Sequence, residues 1–232
     1  GGPNAELVLP HKIGFNRTHW DFRRAQLPSV DKVFVYGSYN GSRVAPGGYT
    51  ARLTYGDQIK EVGIEILPNP NLNYSAADFK DQQELLIKIE TAIENIHESV
   101  TQMRNAQAQL KYYSNILKEK DSFTKLYDQA QSIEEQLKNW EKELIQPNQK
   151  TFQDVINFNN KLNAELMHLK GYVDTDDPKV TQGAKDRYRD LNETWQKHKD
   201  ELKKIIEDDF RSFEENYRAA KVPVLNVEID SL

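Results

Sequence analysis

The spacing of apolar residues changes at about residue 75, and this change constrains the fold more than any other feature of the sequence. Before it, apolar and polar residues alternate over short stretches, as they do in β-strands with one buried face. After it, apolar residues recur at alternating steps of four and three, as they do along one side of an α-helix. The chain is therefore predicted to have a β part followed by a long helical part.

Four apolar stripes define the predicted helices. The first helix begins near Ser75 and Asp78, which resemble a capping box with Asp in place of Glu. The second ends before Pro147, the third is closed by Gly171, and the fourth covers about residues 181–220. In chain order the stripes contain Ile89, Ile93, Ile96, Val100, Met103, Leu110 and Leu117; Phe123, Leu126, Ala130, Ile133, Leu137, Trp140 and Leu144; Phe158, Leu162, Leu166 and Leu169; and Ala184, Tyr188, Leu191, Trp195, Leu202 and Ile205, with a drift to Ile206, Phe210, Phe213 and Tyr217.

The lengths of these helices restrict how they can pack. At 1.5 Å per residue, the first and last are each roughly 60 Å long, the second about 37 Å and the third about 20 Å. Neither short helix covers a long one alone, but end to end they match its length. We therefore expect an elongated antiparallel bundle with coiled-coil-like packing, in which two long helices flank a broken third column.

Short alternating runs before Pro70 predict β-strands. These runs lie at 16–22, 33–36, 49–55 and 61–67. Gly56 and Asp57 predict a hairpin turn between the last two. Short strands at this spacing indicate an Ig-like β-sandwich, although about seventy residues is short for a complete one. A strand or two is expected upstream of Gly1, since Gly1-Gly2-Pro3 is interpreted as a cut from a longer precursor.

The predicted fold class is therefore α+β, with a small, truncated Ig-like β-sandwich followed by the helical bundle. The predicted domain bounds are 1–70 for the Ig-like unit, 71–221 for the bundle and 222–232 for an extended C-terminal tail. The tail alternates like a strand from Val222 to Ile229, and we expect it to dock on a groove or a sheet edge.

Composition argues against several classes of partner. Thirty-one Lys and Arg against 36 Asp and Glu give a net charge of −5, so the chain lacks the basic excess of a nucleic-acid-binding surface or a polybasic membrane anchor. No apolar run is long enough to span a bilayer. The chain has no cysteine, which excludes disulfides, thiolate nucleophiles and Cys-based zinc sites.

The chain shows no familiar catalytic or metal-binding pattern. Its five histidines are scattered at His11, His19, His97, His168 and His198, and none has the spacing of a metal-binding helix face. His198 lies on the last apolar stripe and is predicted to be a partly buried packing residue. The carboxylates lie mostly on charged helix faces, Glu207-Asp208-Asp209 among them, and are interpreted as solvated. We therefore assign no catalytic, cofactor-binding or metal-binding residue, and we expect no cofactor.

Two weaker signals leave alternatives open. Asp174-Thr175-Asp176-Asp177 has the acidity of a calcium loop but lacks its glycine and distant glutamate, so an acidic lead-in to the last helix is favoured. Three tryptophans would suit carbohydrate binding if their faces were exposed. Trp140 and Trp195 lie in the helix stripes and are predicted to be core residues, whereas the position of Trp20 in its strand leaves its environment open.

Five segments resemble one known family. Gly14–Arg23 resembles a "G-x-N-R-x-x-W-D-L-R" strand, and Ala45–Thr54 resembles "A-P-P-G-T-Y-T-V-R-L-T". Ile66–Pro70 is similar to the "V-x-P-D-P-R" exit of the same β unit. Leu169–Val173 and Pro178–Ala184 resemble the helical tail that follows it. Together these segments are similar to the C-terminal region of bacterial exported proteins with sortilin-like or BNR (sialidase-type) β-propellers, often labelled glycosyl hydrolases.

This resemblance implies a location and a partner, although the chain departs from the family pattern in several respects. Phe22 replaces the family's Leu and Gly47 its second Pro, and no Asp-box (S-x-D-x-G-x-T-W) occurs in the chain. The propeller is thus missing, and any glycosidase activity of the parent would belong to it. The resemblance implies an exported protein of the periplasm or cell surface, with the upstream propeller, and other envelope proteins, as expected partners.

The sequence therefore predicts a non-enzymatic accessory module that acts as a spacer, cap or protein-binding arm. One alternative is a coiled-coil oligomerisation device, because heptads can be satisfied within one chain or between chains. The other is a carbohydrate-binding or glycosidase-associated module, which predicts exposed aromatic residues along a groove.

Overall fold

The computed structural model describes residues 9–118 and 121–222, and these residues are mostly helical. Their single sheet has two antiparallel strands, so the predicted Ig-like β-sandwich, and with it the α+β class, is wrong. The predicted helical region is present. The elements are β1 (Gly47–Tyr55), β2 (Gln58–Ile66), α1 (Ala76–Leu117), α2 (Thr124–Leu144), α3 (Leu162–Val173), α4 (Gln182–Lys204) and α5 (Arg211–Ala219).

A capping box starts α1, as the sequence predicted. The Ser75 hydroxyl accepts a hydrogen bond from the backbone N–H of Asp78 at 3.2 Å, and the Asp78 carboxylate accepts one from the backbone N–H of Ser75 at 2.8 Å. Two of the four unpaired N–H groups at the helix start are thereby satisfied. The Ser75 hydroxyl also donates to the Asp78 carboxylate at 2.7 Å, and this bond, with the one from the Ser75 backbone N–H, holds the pKa of Asp78 below its usual range.

The bundle consists of three columns of helix that lie side by side. α4 and α5 form one continuous column beside α1, and both run in the same direction: Lys185 lies 3.0 Å from Asp81 at one end, and the Tyr113 and Tyr217 rings lie 5.1 Å apart at the other. α2 and α3 follow one another along α1 in the opposite direction. For α2, Arg104 pairs with Glu141 and Ser114 with Gln131; for α3, His97 contacts Asn163 and Gln82 contacts Val173. The two short helices thus form the broken column that their lengths predicted.

The apolar stripes of the helices are buried within the chain. Trp140 is 1% exposed and Trp195 is 3% exposed. The side chains of the first and second stripes that are fully buried are Ile89, Ile93, Ile96, Val100, Leu117, Ala130, Leu137 and Leu144. Each buried leucine or isoleucine contributes about 1.5–3 kcal/mol relative to an exposed one, so burial of these stripes stabilises the fold substantially.

A π-helical segment, Ile205–Phe210, joins α4 to α5 and explains the drift of the last stripe. Each π turn holds one more residue than an α turn, so side chains beyond it are displaced by one position. Ile205 is accordingly buried at 4% exposure, Ile206 is 44% exposed, and burial resumes at Phe213. The drift of the last apolar stripe therefore reflects the extra residue in the π-helical segment. The wider contact face predicted for this helix is not needed to explain the drift.

Residues 23–44 pack on the helices and do not form a sandwich. Val33–Tyr36 and Asn16–Phe22, both predicted strands, are irregular, and a single isolated bridge pairs Arg23 with Arg43 in this stretch. The buried side chains of Val33 and Val35 belong to the same hydrophobic core as the helices. Alternation thus identified which side chains are buried, but a helix surface covers them where a second sheet was expected.

Residues 27–39 therefore share one core with the bundle, inside the bounds predicted for a separate Ig-like unit. The predicted tail, apart from Val222, lies outside the described residues. None of the described helices combines the length and the apolar character that crossing a membrane requires.

Candidate interaction surface

A β-hairpin stands at the end of the bundle where α1 begins. Its strands pair with Gly47 opposite Ile66 and Tyr55 opposite Gln58, and a two-residue turn of Gly56 and Asp57 joins them. Gly56 has a φ of +52°, a value that glycine adopts without strain and that hairpin turns of this length require. The hairpin predicted from this turn is confirmed.

The two faces of the hairpin differ in chemistry. Since successive side chains of a strand point to opposite faces, the pairing register assigns every side chain to one face. One face is polar and includes Arg52 and Glu61, which form a salt bridge at 2.6 Å. The other face, here called the apolar face, carries Tyr49, Ala51, Leu53, Tyr55, Val62, Ile64 and Ile66, with the polar Gln58 and Lys60 at the turn end. One apolar residue, Ile59, lies on the polar face.

This apolar face is largely bare. Leu53 is 59% exposed, Val62 is 62% exposed and Tyr55 is 82% exposed. An isolated two-stranded hairpin is only marginally stable in water, because it lacks a second layer against which to bury such a face. Contiguous exposed apolar surface of this kind marks an interaction site in natural proteins.

Both outer edges of the hairpin are also free of strand partners among the residues described. Tyr55 and Gln58 close the two-residue turn, so the odd-numbered residues of β1 direct their backbone groups toward β2. The N–H and C=O groups of Thr50, Arg52 and Thr54 therefore point outward along the β1 edge. Such a row of unpaired groups is a template for an added strand.

Three aromatic rings connect the hairpin to the incoming chain. The Trp20 ring lies 5.4 Å from the Phe22 ring and 5.7 Å from the Tyr49 ring, both in edge-to-face geometry. The Trp20 indole N–H donates to the carbonyl of Arg23 at 2.8 Å, and the Tyr49 hydroxyl donates to the carbonyl of Ala45 at 2.6 Å. Trp20 remains 41% exposed, so the cluster extends the apolar surface of the hairpin.

A set of charged contacts fastens residues 23–43 to the bundle. The Asp174 carboxylate accepts hydrogen bonds from the Arg23 guanidinium at 2.7 Å and from the backbone N–H of Arg43 at 3.1 Å. The Glu90 carboxylate accepts one from the backbone N–H of Ser42 at 2.5 Å. These charge-assisted bonds fix the start of the hairpin relative to α1 and the end of α3.

Lys170 lies beneath this attachment and is 2% exposed. Its ammonium group donates to the carbonyl of Asn40, and burial lowers the pKa of Lys170 while the charges of Glu90 and Asp174 oppose the shift. Residues of both signs are thus buried together, as a buried lysine requires. The ammonium group of Lys170 supports the attachment of residues 23–43. Its burial leaves no space in which a substrate would reach it.

His97 forms a second attachment point farther along α1. Its ring Nδ1 lies 2.7 Å from the carbonyl oxygen of Pro28 and its Nε2 lies 3.2 Å from the Asn163 side-chain nitrogen. The ring is 1% exposed and lies 6.0 Å from the Tyr39 ring. Burial lowers the pKa of His97, and the bond to Pro28 offsets part of this shift.

The residues considered from sequence as sites do not converge. Asp174 and Asp176 pair with arginines of the N-terminal segment, and Asp177 accepts from the backbone N–H of Lys179. Glu207-Asp208-Asp209 lies in the π-helical segment, with Glu207 near Lys203. In the described part of the chain, no group of three or more His, Asp or Glu side chains is placed to hold a metal ion.

The tryptophans and histidines divide between core and surface. Trp140 is buried and donates to the carbonyl of His198 at 2.8 Å, and Trp195 is buried in the last helix stripe. His198 is half-buried and lies 3.2 Å from Glu201, so its predicted packing role on the last stripe is confirmed. His11, His19 and His168 are exposed.

Sequence reasoning missed three features of this surface. It did not foresee that the apolar face of the hairpin would be bare, that Lys170 and Glu90 would be buried, or that His97 would bind the N-terminal segment. The available signal was the seven-residue spacing of Gln83, Glu90 and His97, polar residues that share one side of α1.

Comparisons of this chain with protein-family models, with curated proteins and with solved structures found no match. The expected link to propeller proteins therefore rests on the resemblance of its motifs alone.

Proposed function

We propose that this chain is a non-catalytic interaction module that docks on a neighbouring protein domain through the β1–β2 hairpin. The bare apolar face of the hairpin is the observation that carries the proposal. The helices bury their apolar stripes within the chain, whereas the hairpin leaves Ala51, Leu53, Tyr55 and Val62 of its apolar face exposed. Covering that face with a partner supplies the second layer that a sheet of two strands lacks.

The docking partner in this proposal is the domain that precedes the chain in its parent protein. Residues 9–22 lead directly to the hairpin through the contact between Trp20 and Tyr49. A domain joined at this point is held close to the apolar face, and a short tether raises its effective concentration to the millimolar range. The resemblance to exported propeller proteins supports a β-rich domain in this place.

The bundle serves as the arm that carries this docking element. α1 has 42 residues, so it extends about 63 Å from the hairpin. The charged contacts of Asp174 and Glu90 fix the hairpin to one end of the arm, so that the arm and the docked domain move as one body. A spacer or cap at the surface of an exported protein requires this rigidity.

The free edge of β1 supports the same proposal. Its outward N–H and C=O groups can pair with an extended strand of the partner while the apolar face packs on the partner's core. Strand addition of this kind combines backbone hydrogen bonds with pockets for alternate side chains.

A binding experiment with a matched control tests the proposal. The polypeptide encoded directly upstream of Gly1 is produced separately and titrated with the chain by calorimetry. We compare L53E/V62E, which places two glutamates on the apolar face, with T50E/T54E, which places two on the polar face. We expect the wild-type chain and T50E/T54E to bind and L53E/V62E to bind at least tenfold more weakly, a loss of about 1.4 kcal/mol. Equal binding by all three, or no binding by the wild-type chain, would overturn the proposal.

The two alternative functions receive less support from the structure. Oligomerisation through heptads needs apolar stripes that are free to pair between chains, but these stripes are buried within one chain. Carbohydrate binding needs exposed aromatic faces along a groove, but Trp140 and Trp195 are buried. Trp20 is 41% exposed, and its ring contacts Phe22 and Tyr49.

A further inference from the structure

An apolar groove runs along the seam between α1 and α5, at the end of the bundle opposite the hairpin. Its walls are Ala106, Leu110 and Tyr113 on α1 and Phe213 and Tyr217 on α5, and its volume is about 290 Å³. A second groove lined by Met103, Ala106, Ile206 and Phe210 continues it along the same seam. Neither depends on residues that position the hairpin.

The groove opens on the side of the seam that α2 does not cover. Ser114 and Asn216, which neighbour the groove residues in sequence, contact α2 through Gln131 and Gln129. Tyr113 and Tyr217 are turned to the other side and contact each other at 5.1 Å. No other described residue covers the groove on this side of the seam, so its aromatic walls remain open.

The chain leaves α5 at the mouth of this groove and turns back toward the bundle. The backbone N–H of Lys221 donates to the carbonyl of Arg218 at 3.2 Å, and Lys221 takes a φ of +50°, a left-handed conformation that ends the helix and reverses the chain. Val222, the next residue, is buried at 8% exposure and belongs to the core. The described chain therefore ends four residues beyond Arg218, which lines the groove.

The sequence after Val222 has the pattern that such a groove accepts. Leu225, Val227 and Ile229 alternate with Asn226, Glu228 and Asp230. In an extended chain the three apolar side chains share one face and span about 14 Å. The groove and its continuation, from Tyr113 to Met103 on α1, extend over about 15 Å.

We propose that residues 223–230 lie in the α1–α5 groove, antiparallel to α5, with Leu225, Val227 and Ile229 against its aromatic walls. The left-handed turn at Lys221, which reverses the chain after α5, supports this direction. The rim carries charges of both signs, Arg218, Arg211 and Glu214, so the proposal rests on the apolar face of the segment and not on its acidic residues. The segment, here called the clasp, then covers the apolar seam between α1 and α5. This inference is independent of the hairpin and of its partner.

Amide hydrogen exchange tests the clasp without removing it. The triple variant L225S/V227S/I229S is compared with the matched control N226S/E228S/D230S. We expect the first to speed exchange at least fivefold in peptides covering 106–113 and 210–218, with no change in the hairpin, and the control to stay near the wild-type rates. Unchanged exchange in the first variant, or an equal increase in the control, would overturn the proposal.

A cross-link gives a second test that does not depend on stability. Because the chain has no cysteine, V227C combined with A106C introduces the sole pair of thiols. We expect oxidised glutathione to convert this pair into a disulfide within one chain, and N226C with A106C to react at least fivefold more slowly. Failure of the first pair to close within the chain, or closure only between two chains, would overturn the proposal.

Discussion

The Arg23 guanidinium lies 2.7 Å from the Asp174 carboxylate, and this pair joins positions 151 residues apart in the chain. The Asp174 side chain is 10% exposed and also accepts the backbone N–H of Arg43. A single carboxylate at the end of α3 therefore holds both sides of the segment that leads into the hairpin.

We predict that D174N destabilises the attachment of the N-terminal segment. Loss of the charge weakens two charge-assisted hydrogen bonds, each of which contributes about 1.5–3 kcal/mol, so the free energy of unfolding should fall by about 2 kcal/mol. Urea denaturation measures the change. The control D176N removes a carboxylate that is 75% exposed, and it should change the free energy of unfolding by less than about 0.5 kcal/mol. Equal effects of the two variants would contradict the structural role of Asp174.

Replacement of two glycines by alanine should change the free energy of unfolding in opposite directions. A Cβ at Gly41 would lie 2.3 Å from the carbonyl oxygen of Ala25 and 2.5 Å from that of Arg24, both rigid backbone atoms. We expect G41A to lower the free energy of unfolding by about 2–3 kcal/mol, because the two chain segments must separate. Gly171 lies within α3 with open space around it, and G171A should raise that free energy by about 0.5–1 kcal/mol. Thermal unfolding of both variants checks the signs.

The stability of the chain should fall with acid because of His97. Burial lowers the pKa of His97 in the folded state, so the unfolded chain binds the proton more readily. This contribution is complete above the unfolded pKa of about 6.5 and is lost as pH falls below it toward the folded pKa. We expect the stability difference between the wild-type chain and H97Q to shrink between about pH 7 and pH 5. A stability difference that stays constant over this pH range would contradict the prediction.

Removal of the hairpin should leave the bundle intact. β1 and β2 are exposed over nearly their whole length, and their regular hydrogen bonds are to each other. Replacing residues 47–66 with a short Gly-Ser linker should therefore shift the midpoint of helix melting by less than about 3 °C, which corresponds to less than about 1 kcal/mol. Circular dichroism at the helix wavelength measures this shift. A large drop would show that the hairpin is a structural part of the bundle.

The helical half of the fold could be predicted closely from sequence. The stripe from Leu126 to Leu144 predicted both the extent of α2 and its buried side, and the capping box at Ser75 predicted the start of α1. Such signals are local, because the period of a helix and the chemistry of its cap depend on residues within a few turns. Gly171 misled the prediction for α3, which continues to Val173, because a helix tolerates one glycine at modest cost.

The β half could be predicted only in part. Gly56-Asp57 specified the hairpin, since the turn and its flanking strands are adjacent in sequence. Val33 and Val35 alternate like strand residues but pack on helices, because alternation reports which side chains are buried and not which element covers them. The apolar face of the hairpin escaped prediction for the same reason: its pattern requires a cover, and the described residues do not supply one.

Hydrogen exchange in the hairpin tests the central claim most directly. The amides of residues 48–65 are compared between this chain alone and the parent, the longer protein in which we propose that the hairpin is docked. Docking through the apolar face and the β1 edge predicts rapid exchange in the isolated chain and at least tenfold slower exchange in the parent, with the helices unchanged. Equal exchange of the hairpin in both would contradict the account, because the face would then be bare in the whole protein as well.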